Sequence, residues 1–261
     1  MKIPVICALL LVGLSGTAQS PYRIRLGTEL AFTSVGLAAT FLGAQFRSGV
    51  PIYSGDQLAA LDAASINRFD RNTVHYYSLG AHQASNVFWI TAMATPTLFL
   101  AGKKTRQSIG AVAVLWSETM FITSGLTLMT KYAVRRTRPF VYNPDVEVRK
   151  KRNANARGSF FSGHTSMSAA STFFAATVFS DYYPDSKWKP VIWGAAAAIP
   201  AVTGYLRVRG GRHFPTDVIV GYAVGSLVGW GVPALHRRKV LPEKMSMSAG
   251  PGGLSLVWLL R

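Results

Sequence analysis

The chain has 261 residues, of which 49% are hydrophobic and only 15% are charged, whereas about 25% of the residues in an ordinary soluble domain are charged. This composition, together with long apolar runs, excludes a typical soluble domain and indicates a polytopic membrane protein. The net charge of +17 favours anionic lipid surfaces or phosphate-bearing substrates. Apolar runs interleaved with the basic segments argue against a nucleic-acid-binding module. The single cysteine, Cys7, excludes an internal disulfide and a cysteine-rich metal site.

The first twenty residues, MKIPVICALLLVGLSGTAQS, have the layout of a secretory signal peptide. They contain one early lysine and small residues near Ala18 and Ser20. The apolar centre is shorter than the ~20 residues of a membrane span. We therefore expect residues 1–20 to be a signal peptide of bacterial type, with an uncleaved first membrane helix as the alternative.

Six apolar stretches follow, with lengths that suit membrane-crossing helices and without the alternation typical of strands. They cover approximately residues 28–46, 85–102, 108–130, 165–180, 190–206 and 216–235. The sequence thus predicts an all-α fold, a polytopic membrane bundle of about six helices. Glycine and alanine in WGAAAAIPAVTGY and GYAVGSLVGWG predict that neighbouring helices approach closely.

The chain divides into four parts by these patterns. They are the signal peptide, an N-terminal helix with an amphipathic segment, a catalytic core and a C-terminal tail, over residues 1–20, 21–84, 85–235 and 236–261. Within the second part, DQLAALDAASINRF has apolar residues at helical spacing and predicts an amphipathic helix lying on the membrane surface.

The connections between the apolar stretches predict the orientation in the membrane. GKKTRQ, DSKWKP and HRRK are short and basic, so we expect them on the cytoplasmic side. The loops after the third and fifth stretches then lie on the opposite, periplasmic side of a bacterial inner membrane. Glu118 lies inside the third stretch, where an unpaired charge is costly, so we expect it to pair with a polar neighbour.

Two clusters of polar residues lie at the ends of these apolar stretches. Lys131 and Arg138, in KYAVRRTRP, follow the third stretch, where cations commonly contact lipid headgroups. Ser162, Gly163 and His164, in FSGHTS, open the fourth helix. A serine there can cap the helix, but a helix N-terminus also attracts anions, and histidine transfers protons near neutral pH.

The third cluster lies in GYLRVRGGRHFPTDVIVGY, between the fifth and sixth stretches. His213 and Asp217 are four residues apart, so they can share a helix face. The carboxylate could then accept the proton of one ring nitrogen and leave the other free as a nucleophile. Arg207 offers a planar fork for two phosphate oxygens. Because three such clusters meet on one membrane face, together they favour an active site for a phosphate group.

These clusters resemble the signature of the type 2 phosphatidic acid phosphatase (PAP2) superfamily, which vanadium haloperoxidases and bacterial class A acid phosphatases share. The resemblance runs from about residue 85 to residue 235, and two positions depart from the pattern: Phe161 stands where proline is usual, and Leu206 where serine is usual. The matches to the three family motifs are Lys131 with Arg138-Pro139, then Ser162-Gly163-His164, then Arg207 with His213 and Asp217.

The resemblance implies a role for each matched residue. His213 would attack phosphorus and form a phosphohistidine, oriented by Asp217, while His164 would protonate the leaving oxygen and then activate water. The residues implied to hold the phosphoryl oxygens are Lys131, Arg138, Arg207, Ser162 and Gly163. No metal or other cofactor is implied.

The resemblance also implies the substrate class. We expect a lipid phosphate, with undecaprenyl pyrophosphate, phosphatidylglycerophosphate, phosphatidate and lipid A as candidates, and we expect no nucleic acid and no obligate protein partner. Two alternatives remain open: a vanadate-dependent haloperoxidase-like enzyme, and a non-catalytic protein that binds or transports phospholipids.

Overall fold

The computed structural model describes residues 20–238, 245–250 and 253–258, so Cys7 and the expected signal peptide, apart from Ser20, lie outside the described residues. Six long helices coincide with the six predicted apolar stretches, which confirms the helical bundle. They are α1 (Leu26–Ser48), α2 (Leu79–Ala94), α3 (Ile109–Val134), α4 (Gly163–Tyr182), α5 (Lys189–Arg209) and α6 (Pro215–His236).

Short elements connect these helices. Short α-helices cover Gly55–Ala59, Arg68–Arg71, Lys103–Gln107, Pro139–Tyr142 and Val148–Lys151. Turns of 3-10 helix cover Ala63–Ser65, Thr95–Leu100 and Ala154–Arg157. Near the C-terminus, strands β1 (Met245–Gly250) and β2 (Gly253–Trp258) pair antiparallel, with Met245 opposite Trp258. The sequence predicts only a C-terminal tail here and not the hairpin.

Within the described residues, three helical segments are long and apolar enough to cross a membrane: Ile109–Tyr142, which includes α3, and helices α5 and α6. The prediction that all six stretches have this character is therefore too broad. Helix α4 is the clearest exception, because it is rich in serine and threonine. Residues such as Ser168 and Thr172 are buried by the neighbouring helices and do not face lipid. Surrounded by protein, α4 does not need an apolar surface.

Glycines bring α6 against the backbone of α4. A Cβ atom added to Gly225 would lie 2.1 Å from the carbonyl oxygen of Ser166, and one added to Gly229 would lie 2.3 Å from that of Ala170. These distances are far below van der Waals contact, so only glycine fits at either position. The predicted close approach is thereby confirmed for GYAVGSLVGWG, and it fixes the start of α6 beside the start of α4.

The segment between α1 and α2 differs from the prediction. Residues 56–69 do not form one amphipathic helix but fall in two short helices, Gly55–Ala59 and Arg68–Arg71, and the 3-10 turn Ala63–Ser65. Side chains of Ser54, Asp62 and Asn67 each accept a hydrogen bond from a main-chain N–H two or three residues ahead, and each such cap starts a new turn. The segment packs on the loop after α3, where Tyr53 contacts a cluster that includes Phe140.

Candidate active site

The three predicted clusters come together at one end of the bundle. The carbonyl oxygen of Asp217, at the start of α6, accepts a hydrogen bond from the main-chain N–H of Ser162, at the start of α4, at 2.9 Å. Lys131, near the end of α3, donates to the carbonyl of Phe161 at 2.6 Å. Arg138 donates to the carbonyl of Arg212 at 3.2 Å. Residues far apart in sequence thus share one pocket.

His213 is buried, and its ring orientation is fixed by the main chain. Its Nδ1 atom lies 2.7 Å from the carbonyl oxygen of Ser159. A carbonyl only accepts, so Nδ1 carries the hydrogen and Nε2 of the neutral ring keeps a lone pair. Burial, followed by the positive charges of Arg138, Lys131 and Arg207, holds the pKa of His213 well below its usual value. His213 is therefore a neutral base or nucleophile at physiological pH.

The sequence predicts that Asp217 accepts a ring proton of His213, but in the structure it does not. Its nearest carboxylate oxygen is 3.7 Å from Nδ1, which is beyond a hydrogen bond. That oxygen accepts hydrogen bonds from Ser159 Oγ at 2.6 Å and from the main-chain N–H of Phe214 at 2.9 Å. The expected contact fails because the Ser159 carbonyl already occupies Nδ1. Asp217 instead holds the loop segments on both sides of the ring.

Arg136 links Asp217 to the segment between α1 and α2. Its guanidinium donates to Asp217 Oδ1 at 2.5 Å and to Asp70 Oδ2 at 2.7 Å. Asp70 also accepts from the hydroxyl of Thr216 at 2.6 Å. Burial alone would raise the pKa of Asp70, but hydrogen bonds from Thr216, Arg136 and Asn67 hold it below its usual value. Asp70 is thus an anchor that stays ionised.

The buried cations use only some of their donors within the protein. Lys131 donates to the carbonyls of Gly158 and Phe161, which leaves one of its three N–H groups. Arg207 donates through one terminal nitrogen to His82 Nδ1 at 2.9 Å and to Ser85 Oγ at 3.3 Å. Its Nε atom has no partner among the residues that the structure describes.

Arg138 and Arg212 add to this positive charge. Arg138 is buried and donates to the carbonyl and side-chain oxygens of Asn155 as well as to the Arg212 carbonyl. Burial lowers the pKa of Arg212, which the sequence analysis did not include in the site. Arg136 is shared by two carboxylates, those of Asp217 and Asp70, so one of their negative charges remains against the four cations Lys131, Arg138, Arg207 and Arg212. The excess positive charge suits an anion with several oxygens.

The start of α4 forms part of the site. The hydroxyl of Ser162 accepts from the main-chain N–H of Thr165 at 3.5 Å and lies 2.9 Å from its Oγ1 atom, so Ser162 caps the helix. A Cβ atom on Gly163 would lie 3.1 Å from Thr127 and 3.6 Å from the Lys131 side chain. The glycine therefore lets the Thr127 side chain approach the N-terminus of α4. A phosphate-binding role for these two residues stays a prediction.

Helix α2 supplies the partners of His164. Its Nε2 atom lies 2.9 Å from Asn86 Oδ1, so the ring carries a hydrogen on that nitrogen. The ring of Trp89 packs against it, with ring centroids 4.9 Å apart. The indole N–H of Trp89 is buried without a partner among the described residues. These contacts hold the imidazole at the edge of the cation cluster.

Four α2 residues of the site were missed by the sequence analysis, although a pattern marks them. His82, Ser85, Asn86 and Trp89 follow the spacing i, i+3, i+4, i+7 and so form one polar face in an otherwise apolar stretch. No local pattern marks Asp70 or Ser159, because their roles depend on contacts with distant parts of the chain.

A family model, a curated relative and a solved structure are similar to this chain. The family model described as "PAP2 superfamily" matches residues 110–241, just over half of the chain. A lipid A 1-phosphatase of Porphyromonas gingivalis is 32% identical over 124 residues, which are 47% of this chain and 23% of that protein. The chain thus matches less than a quarter of that relative's length. A crystal structure of a transmembrane PAP2-type phosphatidylglycerolphosphate phosphatase from Bacillus subtilis has 18% identity and a TM-score of 0.47, covering 77% of this chain and 94% of that chain.

Proposed function

The chain belongs to the PAP2 superfamily, and from this membership and the geometry of its pocket we propose that it is a membrane phosphatase acting on lipid phosphates through a phosphohistidine. The observation that carries the proposal is the position of His213 among buried cations. Its Nδ1 proton is bound to the Ser159 carbonyl, so Nε2 keeps a lone pair. Lys131 and Arg207 both retain donor capacity for an anion.

In the first step, Nε2 of His213 attacks phosphorus and the bond from phosphorus to the lipid oxygen breaks. His164 gives a proton to that oxygen, so the lipid product leaves without a new negative charge. Burial and the positive charges of Arg207 and Arg138 lower the pKa of His164 to about 2, so it takes up this proton only when the negative charge of the phosphate is bound beside it. Lys131, Arg138 and Arg207 bind the three remaining phosphoryl oxygens and stabilise the charge that develops on them. The phosphoryl group is then bound to His213.

In the second step, neutral His164 takes a proton from water while the water oxygen attacks phosphorus. The bond between phosphorus and His213 breaks, and inorganic phosphate leaves. Each residue returns to its starting protonation state, so the cycle balances. Asn86 supports His164 in both directions, because its hydrogen bond to Nε2 keeps the ring in one orientation.

We assign a lipid rather than a soluble phosphate ester because long apolar helices flank the pocket on α3, α5 and α6. A headgroup held at the membrane surface would reach the pocket already oriented. The relative named lipid A 1-phosphatase puts lipid A first among the candidates, followed by phosphatidylglycerophosphate, undecaprenyl pyrophosphate and phosphatidate. The basic connections at the other end of the bundle favour a bacterial inner membrane with the pocket facing the periplasm.

The test is phosphate release by the detergent-solubilised protein with EDTA present. The four lipids would be compared with a soluble aryl phosphate, and His213→Ala with His75→Ala. His75 is an exposed histidine outside the pocket, so its variant controls for handling and for surface charge. After rapid acid-free quenching, ³²P from labelled substrate should remain on the wild-type protein as an acid-labile, base-stable adduct.

Release from at least one lipid by wild type and His75→Ala, but not by His213→Ala, is the expected result. Binding of the lipids without release would favour a phospholipid-binding protein instead. Equal release by His213→Ala and wild type would contradict the role of the nucleophile.

A further inference from the structure

Three titratable side chains meet inside the bundle, far from the phosphate pocket. Glu29 of α1 and Glu118 of α3 have exposed fractions of 0%, and His236 of α6 has one of 7%. One oxygen or nitrogen atom from each lies within 4.8 Å of the others. The phosphatase mechanism uses none of them. Glu118 has the polar neighbour that its sequence position predicts, since His236 Nε2 is 3.7 Å from its carboxylate.

The hydrogen bonds around this triad leave its inner atoms free. Nδ1 of His236 lies 2.8 Å from the carbonyl oxygen of Val232, so that nitrogen carries a hydrogen. Glu29 Oε1 accepts from the main-chain N–H of Arg25 at 3.1 Å. Within the described part of the chain, His236 Nε2, Glu29 Oε2 and both Glu118 oxygens have no hydrogen-bond partner. His236 and Glu29 are thus fixed on their outer sides, and all three side chains are open on their inner sides.

This arrangement is typical of metal ligands. A ligating histidine commonly donates its second ring N–H to a main-chain carbonyl, as His236 does to Val232. Ligand distances of about 2.0–2.2 Å at a tetrahedral ion place the ligand atoms roughly 3.3–3.6 Å apart. His236 Nε2 lies 3.2 Å from Glu29 Oε2 and 3.7 Å from Glu118 Oε2. Small shifts of the side chains would therefore accommodate an ion.

The charges of the triad give a second reason to expect a metal ion. Three of the four carboxylate oxygens of Glu29 and Glu118 accept no hydrogen bond among the described residues, which is costly for buried carboxylates, and a divalent cation would neutralise both groups. We propose that Glu29, Glu118 and His236 form a binding site for one divalent transition-metal ion, with Zn²⁺ as the best fit. Zn²⁺ accepts mixed oxygen and nitrogen donors and often has three protein ligands with water in the fourth position. Mg²⁺ and Ca²⁺ prefer oxygen ligands alone.

A cavity provides access to the triad and room for the fourth ligand. It has a volume of about 790 Å³, and its lining includes Glu29 and His236 together with four arginines, Arg23, Arg25, Arg237 and Arg238. The ion would connect α1 to α3 and α6, so the site is structural rather than catalytic.

The triad is well separated from the phosphate pocket. Glu118 precedes Lys131 by 13 residues on α3, which is about 20 Å of helix. His236 follows Asp217 by 19 residues on α6, which is about 28 Å. The inference is independent of the proposed phosphatase activity, and its test does not use that activity.

The test is metal binding by the full chain in detergent, after removal of any histidine tag. Protein stripped with EDTA would be titrated with Zn²⁺ by calorimetry, and Tm would be measured with and without the metal. We expect one Zn²⁺ per chain and a rise in Tm, because a ligand that binds only the folded state stabilises it. Glu118→Gln should weaken binding by at least about 100-fold. Glu147→Gln is the matched control, since Glu147 is an exposed carboxylate elsewhere.

Two results would overturn the proposal. One is no Zn²⁺ binding and no change in Tm for the wild type, which would show a triad held together by shared protons. The other is equal binding by wild type and Glu118→Gln, which would show adventitious binding at the surface. If Glu118→Gln does not fold, Co²⁺ binding to the wild type tests the proposal instead. A site of two oxygens and one nitrogen gives visible absorption bands that hydrated Co²⁺ at the surface lacks. Absence of these bands would contradict the proposed site.

Discussion

The Nδ1 atom of His213 donates its hydrogen to the main-chain carbonyl of Ser159 at 2.7 Å, whereas the carboxylate of Asp217 is 3.7 Å away. A carbonyl of the main chain, not an acidic side chain, therefore fixes the tautomer of the proposed nucleophile. The carboxylate acts on the ring only indirectly, because it accepts hydrogen bonds from Ser159 Oγ and from the main-chain N–H of Phe214.

This relationship predicts a moderate effect for Asp217→Asn. The Ser159 carbonyl would still hold the ring, but one of the carboxylate's donors would face an amide NH₂ group. We expect kcat to fall about 10- to 100-fold, less than the ~10⁴-fold loss seen where a carboxylate alone holds the tautomer of a catalytic histidine. Steady-state kinetics would be compared with Asp185→Asn, an exposed control. A loss near 10⁴-fold would mean that Asp217 sets the tautomer after all.

The lowered pKa of His213 predicts activity that persists into mild acid. Burial and the charges of Arg138, Lys131 and Arg207 disfavour the imidazolium form. The acid limb of kcat/KM should therefore lie below the usual histidine value of about 6.5, and Lys131→Met should move it upwards, towards that value. Using one substrate for both proteins cancels the titration of the substrate itself. Lys150→Met, at an exposed lysine, should leave the profile unchanged.

The same pKa shift affects stability with a definite sign. The folded state binds the His213 proton less readily than the unfolded state, so the contribution of this group to the free energy of unfolding decreases as the pH falls below about 6.5. Above that pH the group makes no difference between the two states. Chemical denaturation at pH 5 and pH 7.5 would measure how the free energy of unfolding changes between the two pH values. In His213→Gln, the part of this change that comes from His213 should be absent.

The contact between Asn86 and His164 predicts an effect that depends on the leaving group. Without Asn86 the imidazole is less well oriented, so proton transfer to the leaving oxygen is impaired. Asn86→Ala should lower kcat for a lipid phosphate about 10- to 100-fold, within the usual range for general acid catalysis. An aryl phosphate with an acidic phenol needs no such proton and should lose much less. Asn72→Ala, at an exposed position, is the control; an equal loss on both substrates would contradict the role.

The sequence predicts the parts of the site that depend on helix ends. Ser162, Gly163 and His164 lie where an apolar stretch begins, and Lys131 and Arg207 lie where two others end. Since helices of similar length cross the same bundle, these ends meet without further information. The helices were predictable because stretches rich in apolar and small residues extend over whole turns, although α4 carries many buried serines and threonines.

The remaining features depend on contacts that no local pattern encodes. Asp70 reaches the site only because the segment between α1 and α2 folds over the loop after α3 and meets Arg136. The Ser159 carbonyl is a main-chain group, so residue identity does not mark it. The prediction of an amphipathic helix was wrong. The stretch is too short to sustain a helix by itself, and the hydrogen bonds of three capping side chains outweigh its helical periodicity.

The glycines between α4 and α6 predict a large difference between two similar substitutions. A Cβ atom on Gly225 would lie 2.1 Å from the Ser166 carbonyl oxygen, whereas nothing lies within 4 Å of one on Gly231, in the same helix. Gly225→Ala should push the helices apart, with a cost in stability of about 1–3 kcal/mol. Gly231→Ala should be neutral or stabilise by up to about 1 kcal/mol, because alanine favours the helix.

Activity should distinguish these two variants as well. Helix α6 carries Asp217 and α4 carries His164, so a separation at Gly225 would displace the two helix ends of the candidate site relative to each other. We expect Gly225→Ala to lower kcat/KM as well as Tm, while Gly231→Ala keeps wild-type kcat/KM. Thermal unfolding in detergent and phosphate release from the same samples provide both measurements. Equal behaviour of the two variants would mean that the close contact of α4 and α6 does not position the site.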